Sequence, residues 1–300
     1  MNAVETRELT RTFGTLDAVR GLNLEVPEGS IFALMGPNGA GKTTTIKLLM
    51  NLIQPTSGQA TVLNTGSRRL GVKEWQRIGY VSENQELPEW MSPSELLAYY
   101  RPFYPTWDDT LCRTLQDALG LTAAGPLRTL SRGTRMKAAL LASLAFNPEL
   151  VVLDEPFSGL DPLVRDELVR ALLEMPGQRP WTVLVSSHDV DEVERLADWI
   201  GFINNGRLTL AEPLESLLNR FSLIEVVTEH DAAADLPAAP NWLLHGTAGR
   251  TLRFVDTAHD TPEAGSRIAA AFPGATIRSS RMTLRDVFLV LARQGAAERS

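Results

Sequence analysis

Three hundred residues suffice for one large domain, or for a large and a small one, each with a core of its own. At 44% apolar and 22% charged, with a mean hydropathy of −0.07, the composition is that of an ordinary globular chain. A net charge of −7 and a pI of about 5.3 argue against a protein held mainly by nucleic-acid phosphates, which needs a basic surface. The single cysteine, Cys112, excludes an internal disulfide and every cysteine-cluster metal site; on an amphipathic stretch it reads as a small core residue. No run approaches the ~18 apolar residues needed to cross a bilayer. Ala138 to Phe146 comes nearest and follows Lys137 directly. Glu5, Arg7 and Glu8 stand where a signal peptide would be apolar, so the chain is expected in the cytoplasm, on a membrane only through a partner.

The opening reads as strands: Val4 to Thr6 and Leu22 to Val26, with turns at Phe13-Gly14 and Pro27 to Gly29. Ile31 to Met35 is a continuous apolar run ending in glycine, the pattern of a strand buried on both faces, and a helix follows from Lys42. Another short strand is expected at Arg77 to Val81. From Ser94 to Phe146 the pattern is helical, divided by Pro102, Pro105, Gly120 and Gly125-Pro126. Strands return at Leu150 to Leu153 and Thr182 to Ser186, around a helix from Leu163 to Met175. Apolar strands alternating with helices predict a mostly parallel sheet covered on both sides. Ile200 to Leu210 reads as a hairpin with an Asn-Gly turn. Composition shifts near Leu218. Ala232 to Ala234 and Pro237 to Pro240 look like a linker, amid two or three strands and two helices, the last opening with Thr283 and Asp286 as a capping box. The expected domains are residues 1–218, with a helical region at about 84–146, and a small α+β appendage at 219–300.

Gly36-Pro37-Asn38-Gly39-Ala40-Gly41-Lys42-Thr43, followed by Thr44, is the phosphate-loop pattern between an apolar strand and a helix. Its glycines let backbone N–H groups curl inward around phosphates, and the helix adds the positive end of its dipole. Lys42 is expected on the β- and γ-phosphates and the Thr43 hydroxyl on Mg²⁺; MgATP is the expected ligand, although the motif alone names only a large superfamily of nucleotide-binding proteins. Leu150 to Leu153 then delivers Asp154 and Glu155 to the same sheet edge. Asp154 is suited to Mg²⁺ and Glu155 to taking a proton from the attacking water. His188, after the strand Thr182 to Ser186, is placed to contact the γ-phosphate or that water.

Together these residues resemble an ATP-binding-cassette (ABC) ATPase over roughly residues 3–212, which implies a phosphate-loop fold with β- and helical subdomains. The family's aromatic that stacks on adenine corresponds to Phe13. Its signature Leu-Ser-Gly-Gly-Gln reads Leu130-Ser131-Arg132-Gly133-Thr134, keeping Ser131 and Gly133. Its D-loop matches Ser158 to Asp161, and its switch histidine matches His188. Ser131 would cap a helix through Met136, Leu140 and Leu144, forming an anion site. Arg132, Arg135 and Lys137 crowd that end against the dipole, at ~0.3–1 kcal/mol each, and a docked anion would relieve them. The alternative is that Arg132 and Arg135 point to solvent. The resemblance makes the anion the γ-phosphate of a second cassette, in a homo- or heterodimer. Where the family has a magnesium-contacting Gln, this chain has Glu83, with Gln85 two residues on; Glu83 is favoured as the ligand and the choice stays open.

Phe103 to Asp108 and Asp286 to Leu289 resemble the ATPase subunits of bacterial ABC-2-type exporters. The implied function is a nucleotide-binding subunit on the inner face of the cell membrane that drives a separate transmembrane permease, docked near Glu83 to Trp90, with no nucleic acid. The alternative is a soluble ABC-type ATPase acting on a nucleic-acid or ribosomal complex.

Overall fold

The computed structural model describes all residues except 123, 175–180, 230–238, 240 and 298–300. The chain divides into two compact units, Met1–Ala211 and Glu212–Ser300.

The first unit opens with β1 (Asn2–Phe13), β2 (Leu16–Leu22) and β3 (Glu25–Pro27), before the central β4 (Ile31–Met35) and α1 (Lys42–Leu49). β5 (Ser57–Val62) and β6 (Thr65–Gly66) follow, then the short α2 (Val72–Trp75) and β7 (Ile78–Ser82). Three helices come next: α3 (Pro93–Tyr100), α4 (Asp109–Ala118) and α5 (Arg132–Leu144). The unit closes with β8 (Leu150–Asp154), α6 (Pro162–Leu173), β9 (Thr182–Ser187), α7 (Val190–Leu196), β10 (Trp199–Asn204) and β11 (Arg207–Pro213), which runs into the second unit.

Two sheets result. β2, β1, β5 and β6 lie side by side with β3 also on β1, all antiparallel. The second sheet has the order β11-β10-β4-β9-β8-β7, and β10, β4, β9, β8 and β7 run parallel. β8 and β9 are buried along their whole length, as strands covered on both faces must be. Phe32, Leu34, Ile46, Leu49, Val152, Leu184 and Ile203 form one core beneath the phosphate loop. At the hairpin after β10, Asn205 and Gly206 both have positive φ, as a two-residue turn matched to strand twist requires. Cys112 is buried on α4.

The helical region is held by its own caps. Ser92 and Glu95 form a reciprocal capping box on α3, and Asp108 accepts from the N–H groups of Thr110 and Leu111 on α4.

The second unit contains α8 (Leu214–Arg220), β12 (Ser222–Val227), β13 (Trp242–Ala248), β14 (Thr251–Asp256), α9 (Ala264–Ala271), β15 (Thr276–Arg281) and α10 (Leu284–Ala297). Its antiparallel sheet has the order β13-β14-β12-β15, and Ile224, Val226, Phe254 and Ile268 share its core. Among the described residues it has four strands where the sequence suggested two or three. β13 escapes a period-2 reading because its register on β14 shifts between residues 244 and 246. The unit begins before α8 rather than after Leu218, because Arg220 pairs with Glu212 and donates to the Thr257 carbonyl at 2.7 Å. The expected box at α10 forms, Asp286 accepting from the Thr283 N–H and hydroxyl. The proposed linker falls almost wholly outside the described residues, as does Met175.

Candidate nucleotide site

The carboxyl ends of β4, β8 and β9 bring the phosphate loop, Asp154, Glu155 and His188 to one sheet edge. The phosphate loop leaves β4 and enters α1, whose first turn has no side-chain cap, so its N–H groups remain for a ligand. Two glycines are dictated by close approach. A Cβ at Gly36 would collide with the Ile203 carbonyl oxygen, and one at Gly41, where φ is +111°, with that of Ala18. Ala40 is buried, Pro37 and Thr44 are half-buried, and Asn38 and Gly39 are exposed at the loop's crest.

Lys42 is 5% exposed, and its ammonium donates to the carbonyls of Gly36 at 2.7 Å and Pro37 at 3.3 Å. It also pairs with Glu155 Oε1 at 3.1 Å. Glu155 sits at φ 51°, a left-handed conformation unusual for glutamate. This turn carries its carboxylate away from that of Asp154, so that Oε2 lies 2.8 Å from His188 Nδ1 while Oε1 faces Lys42.

Asp154 is buried. Its Oδ1 accepts from the hydroxyls of Thr43 at 3.0 Å and Ser186 at 2.8 Å. Burial pushes its carboxyl above the usual range, opposed by those two hydroxyls and reinforced by the Glu155 charge. Thr43 and Asp154 are hard oxygen donors, and a buried carboxylate already bonded by two hydroxyls suits a divalent cation, whose charge would offset the burial. Ser186 went unnoticed in the sequence. It also accepts the Glu155 N–H at 3.0 Å and so joins the two acids. Its only signal was a hydroxyl residue ending a buried strand, two residues before His188.

Arg165 was also missed. It donates from Nε to the Leu160 carbonyl and from Nη1 to Asp189, and pairs with Glu192, tying the turn before α6 to the segment after His188.

Phe13 ends β1 at the tip of the β1–β2 hairpin; it is 44% exposed, with the Arg11 guanidinium 4.4 Å above one face of its ring. Ala18 of that hairpin abuts Gly41, so tip and loop are neighbours. Ser131 caps α5, accepting the Thr134 N–H at 3.1 Å. Gly133 is buried, and a Cβ there would press on Val164 at 3.0 Å, so glycine also permits close packing of α5 on α6. Asp161 caps α6 through the N–H groups of Leu163 and Val164. Ser131, Gly133 and Asp161 therefore lie apart from the Lys42 cluster in their contacts, on helix starts.

The basic start of α5 needs a correction. Arg132 does not point freely to solvent: it pairs with Glu83 at 2.8 Å, and Lys137 is buried against Glu167 at 2.6 Å. Two of the three cations are thus compensated within the chain. Glu83 Oε1 also accepts the Ser158 hydroxyl at 2.8 Å. Burial would raise the Glu83 carboxyl, but these two hydrogen bonds hold it below the usual range. Beside it lies a groove of about 560 Å³, lined by residues 82–87, Leu127, Arg132, Arg135, Met136 and Ala139. Trp90 stands exposed and outside that lining. Among the described residues no helix is long and apolar enough to cross a membrane.

A phosphate loop with two acids and a histidine on a mostly parallel sheet, flanked by an antiparallel sheet and a helical region, defines a phosphate-loop ATPase of the cassette type. The profile of the ABC transporter family matches residues 19–158. The lantibiotic transport ATP-binding protein SrtF of Streptococcus pyogenes is 32% identical over 229 residues, which cover 74% of this chain and 98% of that protein. The bacitracin transport ATP-binding protein BcrA of Bacillus licheniformis is 31% identical over 219 residues, 72% of each chain. Among solved structures, an ATP-binding subunit of an ABC transporter superposes with a TM-score of 0.64 at 24% identity, covering 72% of this chain and 91% of that one. The dimeric post-hydrolysis cassette MJ0796 with ADP and Pi gives 0.62 at 22% identity, covering 70% and 98%. The chain belongs to the ABC transporter ATP-binding proteins: it is the ATP-binding, ATP-hydrolysing subunit of an ABC transporter. The alternative of a soluble ATPase on nucleic acid or ribosomes is not favoured by these relatives.

Proposed function

We propose that this subunit pairs with a second cassette around MgATP and drives a separate transmembrane permease in the export direction, from the cytoplasmic face of the cell membrane. The observation that carries the reading is the chain of contacts Lys42–Glu155–His188 beside Thr43–Asp154–Ser186, all at one sheet edge. The magnesium ion, when bound, neutralises phosphate charge and orients the terminal phosphate. Thr43 and Asp154 would hold it, with Glu83 as a further carboxylate. Lys42 exchanges Glu155 for the β- and γ-phosphates. Glu155, released from Lys42, accepts the proton of the attacking water, and His188 orients its carboxylate and the γ-phosphate. Phe13 offers its open face to adenine. Ser131, Gly133 and Asp161 act across the dimer, where the N-terminus of α5 meets the other copy's γ-phosphate. The groove beside Glu83 receives the permease. The printed activities of the relatives, lantibiotic and bacitracin transport, support the exporter direction.

The test is twofold. Glu155→Gln is expected to keep ATP binding, lose about 10²–10⁴-fold in turnover, and sediment as an ATP-dependent dimer. Wild-type turnover in that variant would remove Glu155 from its role. The native protein is expected to co-purify with a polytopic membrane protein, and full activity on nucleic acid without membranes would refute the transporter assignment.

A further inference from the structure

Around Glu83, three segments distant in sequence meet through one carboxylate oxygen. Oε1 accepts both the Arg132 guanidinium and the Ser158 hydroxyl, each at 2.8 Å. Arg132 begins α5, where a cation opposes the helix dipole and no acid of the first turn compensates it. The compensating charge comes from the segment after β7 instead. The same guanidinium lies over the turn before α6: a Cβ at Gly159, where φ is +66°, would stand 2.9 Å from Arg132 Nη1. One planar group thus meets Glu83 through Nη2 and Gly159 through Nη1, a division that a lysine ammonium cannot reproduce.

The junction is anchored to the acids of the nucleotide edge at both ends. The Glu83 N–H donates to the Asp154 carbonyl at 2.9 Å, and the Ser158 N–H to the Glu155 carbonyl at 3.2 Å. A shift of α5 is therefore passed to the backbone at Asp154 and Glu155. The Arg132 side chain is 44% exposed, and a pair that open contributes little to stability. What it fixes is position.

We propose that Arg132 is a positioning residue for ATP hydrolysis, holding Glu83 and, through it, Ser158, so that the start of α5 and the turns after β7 and β8 move as one body. This rests on the ATPase reading of the nucleotide edge but not on Glu83 as a metal ligand. The test uses the full chain with Arg132→Met, Arg132→Lys, Glu83→Gln and the Met/Gln double variant. Each neutral single variant is expected to lower kcat about tenfold, with KM for ATP changed less than about threefold and the melting temperature essentially unmoved. The double variant falls no further than the lower single, because both remove the same junction. Arg132→Lys, which keeps the charge but not the contact over Gly159, recovers part of the loss. In the nucleotide-free protein, Arg132→Met speeds amide hydrogen exchange at residues 82–90 and at 156–161 together.

Wild-type kcat in Arg132→Met, a double variant whose loss is the product of the singles, or exchange that rises only within residues 131–135 would each overturn the proposal. A wild-type protein that hydrolyses no ATP would defeat the ATPase reading instead, and the exchange measurement would still decide whether the three segments are coupled.

Discussion

Replacing Glu155 by glutamine should tighten nucleotide binding before it affects any chemical step. In the nucleotide-free chain the Lys42 ammonium is paired at 3.1 Å with a carboxylate that is itself only 12% exposed. The gross attraction at that distance is about 5 kcal/mol for an effective dielectric of about 20, and desolvation of both groups cancels much of it. What a phosphate must overcome is better judged from hydrogen-bond strengths: ~1.5–3 kcal/mol for a charged acceptor against ~0.5–1.5 kcal/mol for a neutral one. An amide at residue 155 therefore holds Lys42 less firmly by about 1–1.5 kcal/mol, close to a tenfold gain in nucleotide affinity. The gain applies to ADP as well as ATP and does not require magnesium, since it arises from freeing Lys42. Titration of the variant with a fluorescent ADP analogue in EDTA separates it from trapping of an ATP dimer, which needs the third phosphate. The nucleotide-free variant should also melt about 2–5 °C lower, because a nearly buried ammonium loses its counter-ion, and nucleotide should raise its melting point more than the wild type's. A variant that binds ADP no tighter than wild type would refute the idea that Glu155 competes with phosphate for Lys42.

Gly41→Ala combines a left-handed backbone with a Cβ driven into the Ala18 carbonyl; it should abolish nucleotide binding in the same titration and lower the melting temperature. Ser186→Ala removes a hydroxyl that bonds Asp154 and accepts the Glu155 N–H, at about 1–3 kcal/mol for the unpaired groups; it should weaken magnesium-dependent turnover about tenfold or more in steady-state kinetics. Glu192 is buried, and burial raises its carboxyl, only partly relieved by Ser187 and Arg165. For a carboxyl raised in the folded state, stability is greatest below the ordinary carboxylate range and declines as pH rises through it to the raised value. Glu192→Gln should therefore gain on wild type in thermal melts from pH 4 to pH 8, and a gain that shrinks with rising pH would contradict the burial argument.

The central sheet and the phosphate loop were legible because their causes are local. An apolar run such as Ile31 to Met35, a glycine where only glycine fits, and acids ending an apolar strand each declare themselves within ten residues. The hairpin at Asn205-Gly206 and the box at Thr283 and Asp286 belong to the same kind. β13 was less visible because its bulge breaks the alternation, and α8 was assigned to the wrong unit because Arg220 finds its partners at Glu212 and Thr257, only one of which is near in sequence.

Pair relations across the fold were the part a linear reading could not reach. Arg132 read alone is a misplaced cation at a helix start, and Glu83 read alone is a candidate metal ligand. Placed 2.8 Å apart they become one feature, 49 residues separated in sequence, in which each accounts for the other's charge. Ser186 behaves the same way. A serine at the end of a buried strand carries no message until β8 is known to lie beside β9, and then its hydroxyl falls between the two acids. The parallel register that pairs Asp154 with Ser186 and Leu34 with Ser186 is what assembles this edge, since one serine is thereby set beside both the strand that ends at the two acids and the strand that leads into the phosphate loop. Residues that position others are hidden until the strand order is known, whereas residues that touch phosphate must carry their chemistry in their own side chains and neighbours.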